Sequence, residues 1–106
     1  MIRIQVYRTK DDKISGLEVT GHSGTAPHGE DIVCAGVSSL AQTALLGIGE
    51  YLHRKVSYKV ASGELRMMLE DAPDDLTEAI LETALLGVRE IAKKAPQAVR
   101  ISESRR

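Results

Sequence analysis

Phenylalanine and tryptophan are absent from this sequence, and the aromatic residues are Tyr7, Tyr51 and Tyr58 alone. The interior must therefore be assembled from Ile, Leu, Val, Ala and Met, without the large contact areas that aromatic rings supply. Cysteine occurs once, at Cys34, so no disulfide can form within the chain. That fits a reducing compartment. An excess of cationic charge is also missing: 14 Lys and Arg stand against 15 Asp and Glu, a formal net charge of −1. A protein that grips nucleic acid by its phosphates ordinarily has such an excess, and Arg105 and Arg106 are too few to form a basic arm. No unbroken apolar run approaches the roughly 18 residues of a membrane span, and no signal-peptide core follows Met1. The expectation is a soluble, cytoplasmic protein whose 106 residues make one domain. A chain of that size buries roughly two-thirds of its unfolded surface, so it needs no metal or disulfide as a staple.

What is present is regular. Ile2, Ile4 and Val6 alternate with Arg3, Gln5 and Tyr7, which is strand periodicity. Lys10 to Lys13 make a polar turn. Leu17 and Val19 alternate with Glu18 and Thr20, a second strand that closes a hairpin. Residues 21–30 are rich in Gly, Ser, Thr and Pro and read as a loop. Asp31 is a suitable N-cap, and Val33, Val37, Leu40, Ala41, Ala44, Leu45, Ile48 and Leu52 then recur at helical spacing. Val56, Tyr58 and Val60 predict a third strand, and Leu65, Met67 and Leu69 a fourth, with Ser62-Gly63 as the turn between them. The acidic residues 70–75 suit the start of a second helix, whose stripe is Leu76, Ile80, Ala84, Val88 and Ile91, and Pro96 ends it. Val99 and Ile101 add a short last strand. The order ββαββα(β) predicts a two-layer α+β domain, a mostly antiparallel sheet with both helices on one face.

The chemistry is concentrated between Gly21 and Cys34. This segment holds the sole cysteine and two of the three histidines, His22 and His28. With the helix starting at Asp31, Cys34 falls in the first turn, where unpaired amides favour a thiolate and would receive an oxyanion. His22, carried on a glycine-rich loop with Gly21, Gly24 and Gly29, could take the thiol proton and return it to a leaving amine. Other readings stand beside this one. A lone helical cysteine also serves as a small buried hydrophobe. His28 and His53 read as surface residues. His22, His28 and Cys34 could supply three soft metal ligands, but they lack the tight pairing of metal motifs. Ser23, Ser38 and Ser39 sit in no GxSxG elbow.

The run Gly21-His22, then Gly29-Glu30-Asp31-Ile32-Val33-Cys34-Ala35-Gly36-Val37-Ser38, resembles the signature of the ribosomal-processing cysteine proteases, the Prp family. The match is specific within residues 21–40. Elsewhere it is one of length and element order. The resemblance implies a cysteine endopeptidase, without cofactor, that removes an N-terminal extension from the twenty-seventh protein of the large ribosomal subunit and works as a homodimer. It implies that His22 and Cys34 are catalytic, and that Asp31, Ser38, Gly21 and Gly29 support the site or contact substrate. One departure is that Thr25, Ala26 and Pro27 stand where many members carry an aromatic residue. Two functions from other classes remain: a non-catalytic ribosome-assembly factor, and a redox sensor built on Cys34.

Overall fold

Alternation at the N-terminus becomes a strand with two unlike faces. In the computed structural model, which describes residues 1–21 and 28–105 (the side chains of 28–31 excepted), β1 spans Ile2–Arg8. Ile2, Ile4 and Val6 are buried on one face, and Arg3 and Gln5 lie on the other. Asp12, in the left-handed region at φ 67°, turns the chain into β2 (Ile14–Thr20). That conformation is tolerated best by Asn, Asp and Gly. After α1 (His28–Leu46) come β3 (Val56–Ala61), β4 (Glu64–Leu69), α2 (Asp75–Lys94) and β5 (Val99–Arg105).

The sheet runs β3-β4-β2-β1-β5. Four strands pair antiparallel, while β5 lies parallel to β1 from Ile2↔Val99 to Arg8↔Arg105. The expected α+β layering is borne out. The last strand is longer than its apolar residues predict, because its inward position at Glu103 carries a charge. Arg8 satisfies that charge, with Nε 2.8 Å from Glu103, and also reaches Glu82 on α2 at 3.0 Å. A pattern search for apolar alternation stops where such a pair begins.

Both helices cover the face that carries Ile2, Ile4, Val6, Leu17, Leu65 and Met67. They run antiparallel and close together, since glycine on one helix meets a branched side chain on the other. A Cβ built on Gly36 would lie 3.1 Å from Ile91 Cδ1, on Gly87 2.9 Å from Leu40 Cδ1, and on Gly47 3.2 Å from Ile80 Cδ1. The buried stripe of α1 is Val37, Ala41, Ala44 and, in the π-helical turn Gly47–Tyr51 that follows, Ile48. By length and composition Ile32–Tyr51 is apolar enough to cross a membrane, with mean hydropathy 1.6. The sequence hides this because Ser38, Ser39, Gln42 and Thr43 interrupt the run. In the fold the stripe roofs the sheet.

Two helix expectations need correction. The expected stripe of α2, Leu76, Ile80, Ala84, Val88 and Ile91, packs on the core except at Leu76. The buried positions are Thr77, Leu81, Ala84, Leu85 and Val88, and Leu76 is exposed. Asp74, one of the acidic residues expected at this start, caps the helix, and Thr77 takes the inward position of its first turn. The Asp74 carboxylate accepts from the amides of Leu76 and Thr77 at 2.9 and 3.0 Å, and Thr77 Oγ1 accepts from the Asp74 amide at 2.9 Å. This reciprocal cap buries Thr77 at the helix start. The other correction concerns α1, which begins at His28.

Three carboxylates give the fold a defined response to acid. Asp74 is held below its ordinary value of 3.8 by the Thr77 amide and then by Arg54. Glu103 is held below 4.5 by Arg8 and then Arg89, and Glu64 by Lys59 and then Arg66. Folded pKa values below the unfolded ones mean that their stabilisation is complete above 3.8–4.5 and is lost as pH falls through the folded values. The melting temperature, followed by circular dichroism, should hold steady from neutral pH to about 5 and fall below that. Arg54→Ala should flatten the part of the fall due to Asp74. An unchanged profile in that variant would reject the part assigned to Arg54 and leave the Thr77 amide as the cause.

Candidate active site

One end of the sheet gathers four chain segments. The Ile2 amide donates to the Ala98 carbonyl at 2.8 Å, which joins the starts of β1 and β5. The Gly21 amide donates to the Gly63 carbonyl at 3.0 Å, which joins the end of β2 to the β3–β4 turn. Gly21 itself sits at φ 89°, and a Cβ there would run into the Met1 carbonyl oxygen. Only glycine meets both conditions without strain. Chain direction at the point where His22 begins is therefore fixed by packed backbone.

The N-terminal half of α1 lies at this same end, and helix geometry sets where Cys34 faces. The contacts of Gly36, Leu40 and Gly47 mark the flank turned to α2, and Val37, Ala41 and Ala44 mark the core side. Gly49, whose Cβ would lie 3.8 Å from Val56 Cγ1, marks the flank turned to β3. At about 100° per residue, Cys34, Ser38 and Leu45 fall between the core side and the β3 flank. Cys34 is partly buried and packs on the core with Val33. Ser38, one turn on, accepts a hydrogen bond from Gln42 Nε2 at 2.8 Å and keeps its own proton to donate.

The expected helix start does not hold. With α1 beginning at His28, Asp31 lies inside the helix and is not its N-cap, and Gly29 is helical instead of part of the loop. The free amides of the first turn belong to residues 28–30, so Cys34 stands in the second turn, with its own amide in the helical ladder. Sequence placed the start late because Asp31 is a good cap residue, while His28-Gly29-Glu30 carries no apolar periodicity. His22 and Gly24 lie outside the described residues, as do the side chains of His28 and Asp31. His53 is described: it follows the π-helical turn at φ 54°. It belongs to the opposite end of the fold, since the α-helical stretch from Cys34 to Leu46 alone covers about 18 Å. Among the described residues no group of His, Cys, Asp and Glu forms a metal cluster.

The expected strand at Val56, Tyr58 and Val60 is present as β3, with an exposure that the alternation does not give. Tyr58 and Val60 point to the helix-covered face but are 66% and 49% exposed. No signal in the alternation reveals this, because a strand's pattern gives its faces and not how far a helix roof extends.

A protein-family model matches residues 1–100 and places the chain among the cysteine proteases. The chain belongs to the family described as cysteine protease Prp. It is similar to the ribosomal processing cysteine protease Prp of Staphylococcus aureus (strain Mu50), with 24% identity over 105 residues, 96% of this chain and 98% of that protein. It is 45% identical to the protein of the same name from Bacillus subtilis over 40 residues, 38% of this chain and 36% of that one. Among solved structures, the S. aureus protease with a substrate peptide superposes with a TM-score of 0.89 at 21% identity, covering 98% of this chain and all of that one. Its complex with a covalently linked product peptide gives 0.88 at 22% identity, with the same coverage. SMU.848 from Streptococcus mutans gives 0.85 at 26% identity, covering 100% of this chain and 96% of that one.

Proposed function

We propose that this protease removes an N-terminal extension from the twenty-seventh protein of the large ribosomal subunit, using Cys34 as nucleophile and His22 as base. One observation carries the reading: a cysteine protease requires a cysteine, and this chain has one, on an α1 flank beside an uncovered part of the sheet. The names of the relatives support ribosomal processing and a peptide substrate. His53, beyond the far end of α1 and the π-helical turn, is too distant to serve, which leaves the two histidines close to Cys34 in sequence. Of these, His22 follows the fixed Gly21.

The steps balance simply. The imidazole of His22 takes the Cys34 proton as Sγ bonds to the scissile carbonyl carbon. The carbon–nitrogen bond breaks, the amine leaves with the proton from His22, and a thioester remains. Water, deprotonated by His22, releases the acid and restores the thiol. The free amides of the α1 start lie a turn before Cys34, so its own amide takes no part as oxyanion donor. Asp31 and Gly29 act from the first turn of α1 by shaping the loop's exit, and Ser38 offers its proton to substrate on the Cys34 flank. The enzyme works in the cytoplasm as a homodimer and needs no cofactor in this scheme.

Incubation with a peptide spanning the host protein's N-terminal extension, read by mass spectrometry, tests this reading. A single cut is expected, slowed on the order of 10²–10⁴-fold by His22→Ala. If both the peptide and the full-length ribosomal protein stay intact, the proposal falls and the assembly-factor reading takes its place.

A further inference from the structure

The roof over the sheet stops abruptly. Met67 and Leu65 on β4 are 1% and 5% exposed, yet their partners across the ladder, Tyr58 and Val60 on β3, are 66% and 49% exposed. One strand spacing, about 4.8 Å, separates full burial from open water. Only at its first residue is β3 covered, where Val56 meets Gly49. Beyond that point α1 borders the shelf without lying on it, and the flank it turns there carries Cys34, Ser38 and Leu45. Val60 stands at the Cys34 end, since its strand leads into the Gly63 turn that holds Gly21.

From this arrangement we infer that Tyr58 and Val60 are specificity-determining residues, a shelf that receives apolar side chains of an extended substrate peptide while its scissile carbonyl reaches Cys34. The inference rests on the protease reading above and names the surface that selects its substrate. Alternate residues of an extended chain recur about every 6.8 Å, which matches the spacing of Tyr58 and Val60 on β3. An apolar surface of this kind would select apolar residues in the peptide. Lys59 and Arg66, on the other side of the strands, are engaged by Glu64, with Lys59 Nζ 2.9 Å and Arg66 Nε 2.9 Å from its carboxylate. They leave the shelf itself without charge.

The test uses the double variant Tyr58→Ser, Val60→Thr, with both positions on the surface. Its kcat/KM on the extension peptide should fall at least about tenfold. Alkylation of Cys34 by iodoacetamide and the melting temperature should stay at parental values. Replacing the apolar residues of the peptide by serine should cost the parent the same factor and cost the variant little more. A second measurement separates this inference from cleavage. Cys34→Ser protein should bind the fluorescein-labelled peptide, and adding the two shelf changes should weaken binding by a similar factor. Parental binding and parental kcat/KM in the shelf variants would overturn the inference and leave the protease standing. A shift in light-scattering mass with unchanged kcat/KM would overturn it too, and would assign the shelf to a second copy of the chain. Peptide binding that depends on the shelf, without any cleavage by the parent, would uphold the shelf and reject the protease reaction.

Discussion

Cys34→Ala leaves a folded protein that cuts no peptide. With the sulfur gone there is nothing to form the thioester, and loss of a nucleophile costs on the order of 10⁴–10⁶ in kcat. The structural cost is small, because Cys34 is only partly buried at the end of the α1 stripe and alanine fits a helix. Stability should change by no more than about 1 kcal/mol. Cys34→Ser should be nearly as inactive, since a hydroxyl gives up its proton to imidazole far less readily than a thiol. The assay is kcat/KM on the extension peptide, with denaturant melts of the same samples. Cleavage by the purified alanine variant within about tenfold of the parent would remove Cys34 from the mechanism, and with it the dyad, because the chain has no second cysteine.

Gly21→Ala should damage catalysis beyond its damage to the fold. A non-glycine residue at φ 89° pays roughly 1–2 kcal/mol in backbone strain. The new Cβ also meets the Met1 carbonyl, which cannot retreat freely because the next amide, Ile2, is bonded to Ala98. Either the start of β1 shifts or the chain beyond Gly21 takes a new direction, and His22 moves with it. A displacement near 1 Å at a catalytic base costs on the order of 10² in rate. Gly16→Ala is the control. Its Cβ would lie 2.6 Å from the Met67 carbonyl and overlap the Met68 sulfur, so it should destabilise by about 1–3 kcal/mol. Gly16 lies four residues back along β2 from Thr20, on the face away from the helices. Its folded fraction should cleave at the parental rate. Equal losses of kcat/KM in both variants, once corrected for the folded fraction, would show that Gly21 serves stability alone.

The strands, the two helices and their order were legible from residue alternation and helical spacing, because each element carries its own periodicity. So was the crowding of a cysteine, histidines and glycines into residues 21–38, the segment to which the proposed chemistry is assigned. Three features were not legible, and each has a physical cause. The true start of α1 was masked by Asp31, a residue suited both to a cap and to a first turn. The length of β5 was masked by Glu103, a charge made acceptable by Arg8, which lies 95 residues away in sequence. The exposure of Tyr58 and Val60 depends on where α1 ends its cover. That cover is set by the glycine contacts Gly36–Ile91, Leu40–Gly87 and Gly47–Ile80, which draw α1 toward α2 and away from β3. The sequence by itself therefore determined the elements and the gathering of cysteine, histidine and glycine between residues 21 and 38, since these depend on local pattern. The tertiary structure decided which flank of α1 carries Cys34 and what lies beside it, because only the packing of distant residues sets how one helix rests on a sheet.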